Sequence, residues 1–107
     1  MRMTHILDRI YAVIESRKGA EPDSSYVAKM FGRGKRKIAQ KVGEESAELI
    51  IAAVSEKKKD VVAESADVLF HMMVLWAKLG IDPERVWKEL EKREGVSGIE
   101  EKASRKS

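Results

Sequence analysis

The sequence predicts an all-α protein, a helical bundle of four main helices plus a short one that is completed by dimerisation. Three observations carry that expectation. Apolar residues recur at three- and four-residue spacing along most of the chain, no segment alternates with the two-residue period of a strand, and two prolines and seven glycines in 107 residues leave room for long helices. The chain also lacks a Gly-rich loop set between a strand and a helix, which sets aside nucleotide folds built on parallel sheets. This length makes one domain with one core, and so small a domain leaves much of its surface unburied, so oligomerisation is expected.

Ile6, Leu7, Ile10, Tyr11, Val13 and Ile14 form the apolar side of a first helix over 5–18, with Thr4 as cap and Gly19 as stop. Glu21-Pro22-Asp23-Ser24-Ser25 is turn chemistry, and the short helix follows over 26–31, ended by Gly32-Arg33-Gly34. Residues 35–56 read as a long helix whose apolar stripe is Ile38, Val42, Leu49, Ile50 and Ala53. Three consecutive lysines, Lys57 to Lys59, mark a solvated connection. Asp60 caps the next long helix, which runs to Leu79 and closes at Gly80. Beyond Asp67 that helix is apolar almost all the way round, so it must be surrounded, which again points to a dimer.

Asp82-Pro83-Glu84 supplies a cap, a proline at the first helical position and an acid in the first turn, and starts the fourth main helix, which ends near Arg93. One domain therefore spans 1–93. Residues 94–107 carry too few apolar side chains to hold themselves in place and are expected to be a mobile tail.

Hydrophobic residues make up 43% and charged residues 36%, which describes a folded, soluble chain rather than a disordered one. A net charge of +3 and an isoelectric point near 9.2 invite a nucleic-acid reading. Basic and acidic residues alternate along most of the chain, however, so the basic excess is local and no nucleic-acid partner is expected. Without cysteine there is no disulfide framework and no thiolate nucleophile. No apolar run is long enough to span a bilayer and no leader precedes the first helix, so the expected location is cytoplasmic, with no membrane partner.

The chemistry resides in carboxylates. At about 100° per residue, Glu44, Glu45, Glu48 and Lys41 occupy one arc of roughly 100° on the long helix, directly beside Ile38, Leu49 and Val42. Acids beside a buried stripe are costly unless a cation or a charged ligand meets them. On the following helix Glu64 and Asp67 stand three residues apart, at the edge of its most apolar stretch. Several such acids facing one space would weaken a small domain, and a hard divalent cation removes the conflict. Mg²⁺ prefers oxygen ligands, and the chain offers no Cys or paired-His set that would select zinc, so Mg²⁺ is expected, with Mn²⁺ able to take its place. His71 fits equally a hydrogen-bonded core histidine and a residue that serves the substrate.

Glu45-x-x-Glu48 followed by Glu64-x-x-Asp67 resembles the metal signature of the all-α nucleoside triphosphate pyrophosphatases. Further stretches make the chain similar, over nearly its whole length, to the phosphoribosyl-ATP pyrophosphohydrolase family. They are Arg17-Lys18, Ser24-Ser25-Tyr26, Gly34, Lys37-Ile38, Lys41-Val42-Gly43-Glu44-Glu45, His71, Glu89-Leu90 with Arg93, and Ser97-Gly98-Ile99-Glu100-Glu101-Lys102-Ala103-Ser104-Arg105. The resemblance implies a helical homodimer that uses magnesium to hydrolyse the α–β phosphate anhydride of phosphoribosyl-ATP. The products would be phosphoribosyl-AMP and pyrophosphate, in the second step of histidine biosynthesis.

On that basis Glu45, Glu48, Glu64 and Asp67 are expected to hold the metal against the triphosphate. Arg17, Lys18, Tyr26, Lys37, Lys41, His71 and Arg93 are expected to bind the substrate, the basic ones by neutralising phosphate charge. Glu44 is the expected base that orients the attacking water. Two alternatives stand beside this reading: a pyrophosphatase of the same fold acting on dUTP or damaged nucleotides, and a non-enzymatic helical dimer that binds nucleic acid.

Overall fold

The computed structural model describes residues 5–95. Helices run over Ile6–Ser16 (α1), Tyr26–Arg33 (α2), Lys35–Val54 (α3), Lys58–Leu79 (α4) and Pro83–Arg93 (α5), with one 3₁₀ turn at Pro22–Ser24 ahead of α2. No strand occurs among the described residues. The all-α expectation therefore holds. The tail expected over 94–107 lies outside the described residues from position 96 onward.

Local chemistry sets each boundary. The Nδ1 atom of His5 accepts the Leu7 N–H at 3.1 Å and so caps α1; Thr4, the expected cap, lies outside the described residues. Ser25 Oγ accepts the Ala28 N–H at 3.0 Å at the start of α2. That helix continues through Gly32 and stops at Gly34, whose φ of 94° lies where only glycine sits without strain. Helix α4 begins at Lys58, so Asp60 lies inside its first turn and complements the helix dipole instead of capping. Gly80, at φ 73°, closes α4 in the left-handed conformation. Asp82 Oδ1 accepts the Glu84 N–H at 2.9 Å, with Pro83 at the first position of α5.

Helices α3 and α4, joined only through residues 55–57, pack along their length as an antiparallel hairpin. Helices α1 and α2 close over one end of that hairpin, where Ile14, Met30, Ile38 and Val74 are fully buried together with Val27, Phe31, Met73 and Ala77. Each such aliphatic side chain contributes roughly 1.5–3 kcal/mol on burial. The Tyr11 hydroxyl donates to the Ile81 carbonyl at 3.0 Å, and the Trp76 and Trp87 rings meet edge to face at 5.8 Å. These contacts hold α5 against α4 and the turn that precedes it against α1.

The inward face of α3 differs from the stripe drawn from hydrophobicity. Ile38, Glu45 and Ala52 recur every two turns and face α4, whereas Ile50 is 63% exposed and Ala53 is exposed as well. Ile51, Val54, Val62, Leu69 and Leu79 also stand in the open on α3 and α4. The protomer thus leaves apolar surface on both of its long helices.

Candidate active site

Because α3 turns the Ile38–Glu45–Ala52 face toward α4, Glu45 enters the seam with its side chain only 12% exposed. Glu48 lies almost one turn further along, and Glu64 of α4 faces both from across the seam. Carboxylate oxygens of Glu45, Glu48 and Glu64 all lie within 4.8 Å of one another. Glu64 Oε2 is buried without a hydrogen-bond partner among the described residues. Burial pushes the Glu64 carboxyl up to about 7, and the Glu48 charge, a hydrogen bond with Glu45 and the charges of Glu45 and Asp67 push in the same direction. Glu48 and Glu64 also border an open cleft of about 270 Å³ with Ser55, Lys57 and Asp60, so the cluster can be reached from solvent.

Three hard oxygen donors meet here, and one of them has no partner of its own. That donor set fits a divalent cation such as Mg²⁺. Asp67, expected in the same set, is exposed and stands outside the trio, although its charge still acts on Glu64. Its carbonyl oxygen accepts from His71 Nδ1 at 2.8 Å.

Basic and polar side chains of α3 extend the cluster toward the start of that helix. Lys41 Nζ lies 3.3 Å from Glu45 and 3.5 Å from Glu44. The hydrogen bond with Glu45 chiefly raises the Lys41 pKa, helped by the neighbouring Glu45 and Glu44 charges and opposed by burial. Gln40 Nε2 donates to Glu44 Oε2 at 2.8 Å, and Lys37 Nζ donates to Gln40 Oε1 at 3.5 Å. Glu44 is held below the usual carboxylate range, first by Gln40 and then by Lys41, so it remains ionised. Gln40 was absent from the sequence-predicted set, although its position four residues before Glu44 placed it on the same face.

Tyr26, at the start of α2, meets His71 of α4 with its hydroxyl 2.8 Å from Nε2. The structure therefore gathers Tyr26, Lys41 and His71 around the seam that holds the carboxylates. Lys37 stands on α3 one turn before Lys41, and the structure places Arg17, Lys18 and Arg93 on other elements. Arg17 and Lys18 are exposed at the end of α1, where Lys18 pairs with Glu15 at 3.8 Å, and Arg93 bonds Glu89 within α5 at 3.1 Å.

A family model described as phosphoribosyl-ATP pyrophosphohydrolase matches residues 7–94, the greater part of the chain. The chain belongs to the phosphoribosyl-ATP pyrophosphohydrolase family. It is 58% identical to the phosphoribosyl-ATP pyrophosphatase of Paramagnetospirillum magneticum, over 94% of this chain and 92% of that protein. It is 60% identical to the protein of the same name from Rhodospirillum rubrum, over 94% and 86% of the two chains. The Azospirillum brasilense protein, again of that name, is 57% identical over 95% and 92%. In this family member every expected site residue, from Arg17 to Arg93, falls inside the matched span. No helix among the described residues is long and apolar enough to cross a membrane.

Proposed function

We propose that the chain hydrolyses the α–β phosphate anhydride of phosphoribosyl-ATP, releasing pyrophosphate and phosphoribosyl-AMP, as a cytoplasmic, Mg²⁺-dependent homodimer of histidine biosynthesis. The observation that carries this reading is the Glu45–Glu48–Glu64 cluster, with its unpartnered Glu64 oxygen, in a chain of this family. Glu45, Glu48 and Glu64 would hold the cation, joined by Asp67 less than one turn beyond Glu64. When bound, Mg²⁺ neutralises triphosphate charge and the charge that develops on the departing pyrophosphate.

The chain's own side chains do the rest. Lys41, beside the carboxylates, offers its ammonium to a phosphate oxygen, and Lys37 lies about one turn nearer the start of α3. Gly34, the residue that starts that helix, supplies no side-chain cap, so the N–H groups of the first turn favour phosphate. Glu44, kept ionised by Gln40 and Lys41, accepts a hydrogen bond from the attacking water and aims it. Arg17, Lys18 and Arg93 add positive charge from the rim.

The exposed apolar residues of α3 support the homodimer. Gly43, Ala47, Ile50 and Val54 share one face, and a side chain at Gly43 would meet nothing within 4 Å in the protomer. A glycine inside an exposed helix costs about 1 kcal/mol relative to alanine. Close approach of a second helix gives that residue a purpose.

The deciding experiment is a pyrophosphate-release assay with phosphoribosyl-ATP and with dUTP, each with and without Mg²⁺. Turnover of phosphoribosyl-ATP that depends on Mg²⁺ and exceeds turnover of dUTP is expected. Preference for dUTP would transfer the chain to the other substrate class.

A further inference from the structure

His71 is 6% exposed, and both of its ring nitrogens are engaged within the protein. The rings of Phe70 and Tyr26 stand nearly perpendicular to it at 5.3 and 5.8 Å, which fixes the plane of the imidazole. The Asp67 carbonyl oxygen can only accept, so the hydrogen must reside on Nδ1. In the neutral ring Nε2 is then a bare lone pair, and the Tyr26 hydroxyl must donate to it across 2.8 Å. The single phenolic proton is thereby committed inside the protein. Tyr26 is 47% exposed as a residue, and any further hydrogen bond its hydroxyl oxygen makes must be one that it accepts.

Resting on the function proposed above, we propose that the His71–Tyr26 pair is a fixed hydrogen-bond acceptor that recognises a donor group of the substrate, a sugar hydroxyl or a base amino group, and rejects its phosphates. Ionised phosphate oxygens are acceptors, so they gain nothing from an oxygen whose proton is already spent. They belong with Lys37, Lys41 and the cation. His71 touches no substrate in this arrangement; it is a positioning residue that acts through Tyr26.

Two measurements on the full chain test the pair. The first is nitrogen-15 NMR of the imidazoles near pH 8, with His5→Gln used to assign the two histidines. The expected spectrum has His71 as the Nδ1–H tautomer, with an Nε2 signal that moves in Tyr26→Phe; the Nε2–H tautomer overturns the proposal. The second is steady-state kinetics, in which Tyr26→Phe raises KM for phosphoribosyl-ATP about tenfold at nearly constant kcat. Inhibition by the nucleotide product should weaken in parallel while inhibition by pyrophosphate stays as it is. His71→Leu should match Tyr26→Phe, and His71→Gln, whose amide oxygen can still accept from Tyr26, should recover part of the loss. An unaltered KM in Tyr26→Phe, or weaker inhibition by pyrophosphate, overturns the proposal. A wild-type chain without turnover would reject the assigned reaction instead, and the tautomer would still decide the polarity of the pair.

Discussion

Glu48 of α3 and Glu64 of α4 bring carboxylate oxygens to within 4.8 Å of each other across the hairpin seam, and one oxygen of Glu64 is buried there without a partner. Two carboxylates so placed cannot both ionise freely in the metal-free protein. The seam is therefore a point of stored repulsion in the centre of the fold, and a bound cation would relieve it.

The first prediction follows from the sign of that repulsion. Folding raises the Glu64 pKa from 4.5 to about 7, so between those values the folded protein retains a proton that the unfolded chain releases. The stability Glu64 contributes is fully present below about pH 4.5 and is lost as pH rises through about 7. Melting curves without metal should accordingly fall more steeply from about pH 5 to about pH 8 in the wild type than in Glu64→Gln. Added Mg²⁺ should raise the wild-type curve most at the alkaline end and have little effect on Glu64→Gln. Parallel curves for the two proteins would show that Glu64 is not the strained group.

Helical periodicity places Glu45 with Glu48 on α3 and Glu64 with Asp67 on α4, and three of the four come together at the seam. Spacing alone does not say how close each side chain comes to that seam: Asp67 is rotated about 60° from Glu64 and falls outside the close trio. Ile50 departs from the expected stripe for a related reason: the face that α3 turns inward is centred on Glu45, not on the apolar residues alone, so Ile50 falls on the outer side. The Tyr26–His71 pair spans 45 residues. It arises from the way α2 lies on α4, which no local pattern encodes.

The second prediction concerns Lys41, whose ammonium is paired with both Glu44 and Glu45. Lys41→Met leaves those acids without their nearest cation and removes a phosphate contact. KM for phosphoribosyl-ATP should rise about tenfold or more, as expected for a hydrogen bond to a charged group. The metal-free melting temperature should fall by about 4 °C or less, because the ion pairs are partly solvated. An unchanged KM would remove Lys41 from the substrate site.

The third prediction tests the outer face of the hairpin. Val54 and Ile50 are 78% and 63% exposed in the protomer. The double variant Ile50→Glu, Val54→Lys should disturb no contact of the protomer core and still convert a dimer into a monomer of lower melting temperature. The wild-type melting temperature should rise with protein concentration, as it does when association and folding are linked. Sedimentation that shows a folded wild-type monomer at micromolar concentration would contradict this.

The last prediction separates the acids that hold the cation from those that merely neighbour it. Glu48→Gln and Asp67→Asn preserve shape while removing one charge each. Glu48 belongs to the close trio, so its loss should abolish Mg²⁺-dependent pyrophosphate release, by at least about a hundredfold. Asp67 stands outside the trio, but its charge acts on Glu64 and it lies on the same side of α4. If it completes the ligand set once Mg²⁺ and substrate arrive, Asp67→Asn should be as inactive as Glu48→Gln. Each substitution also removes a negative charge from a crowded seam, so the metal-free variants should melt at or above the wild-type temperature and lose the stabilisation by Mg²⁺. Activity lost together with a large drop in melting temperature would mark these carboxylates as structural. Full activity in Asp67→Asn would confine the site to Glu45, Glu48 and Glu64.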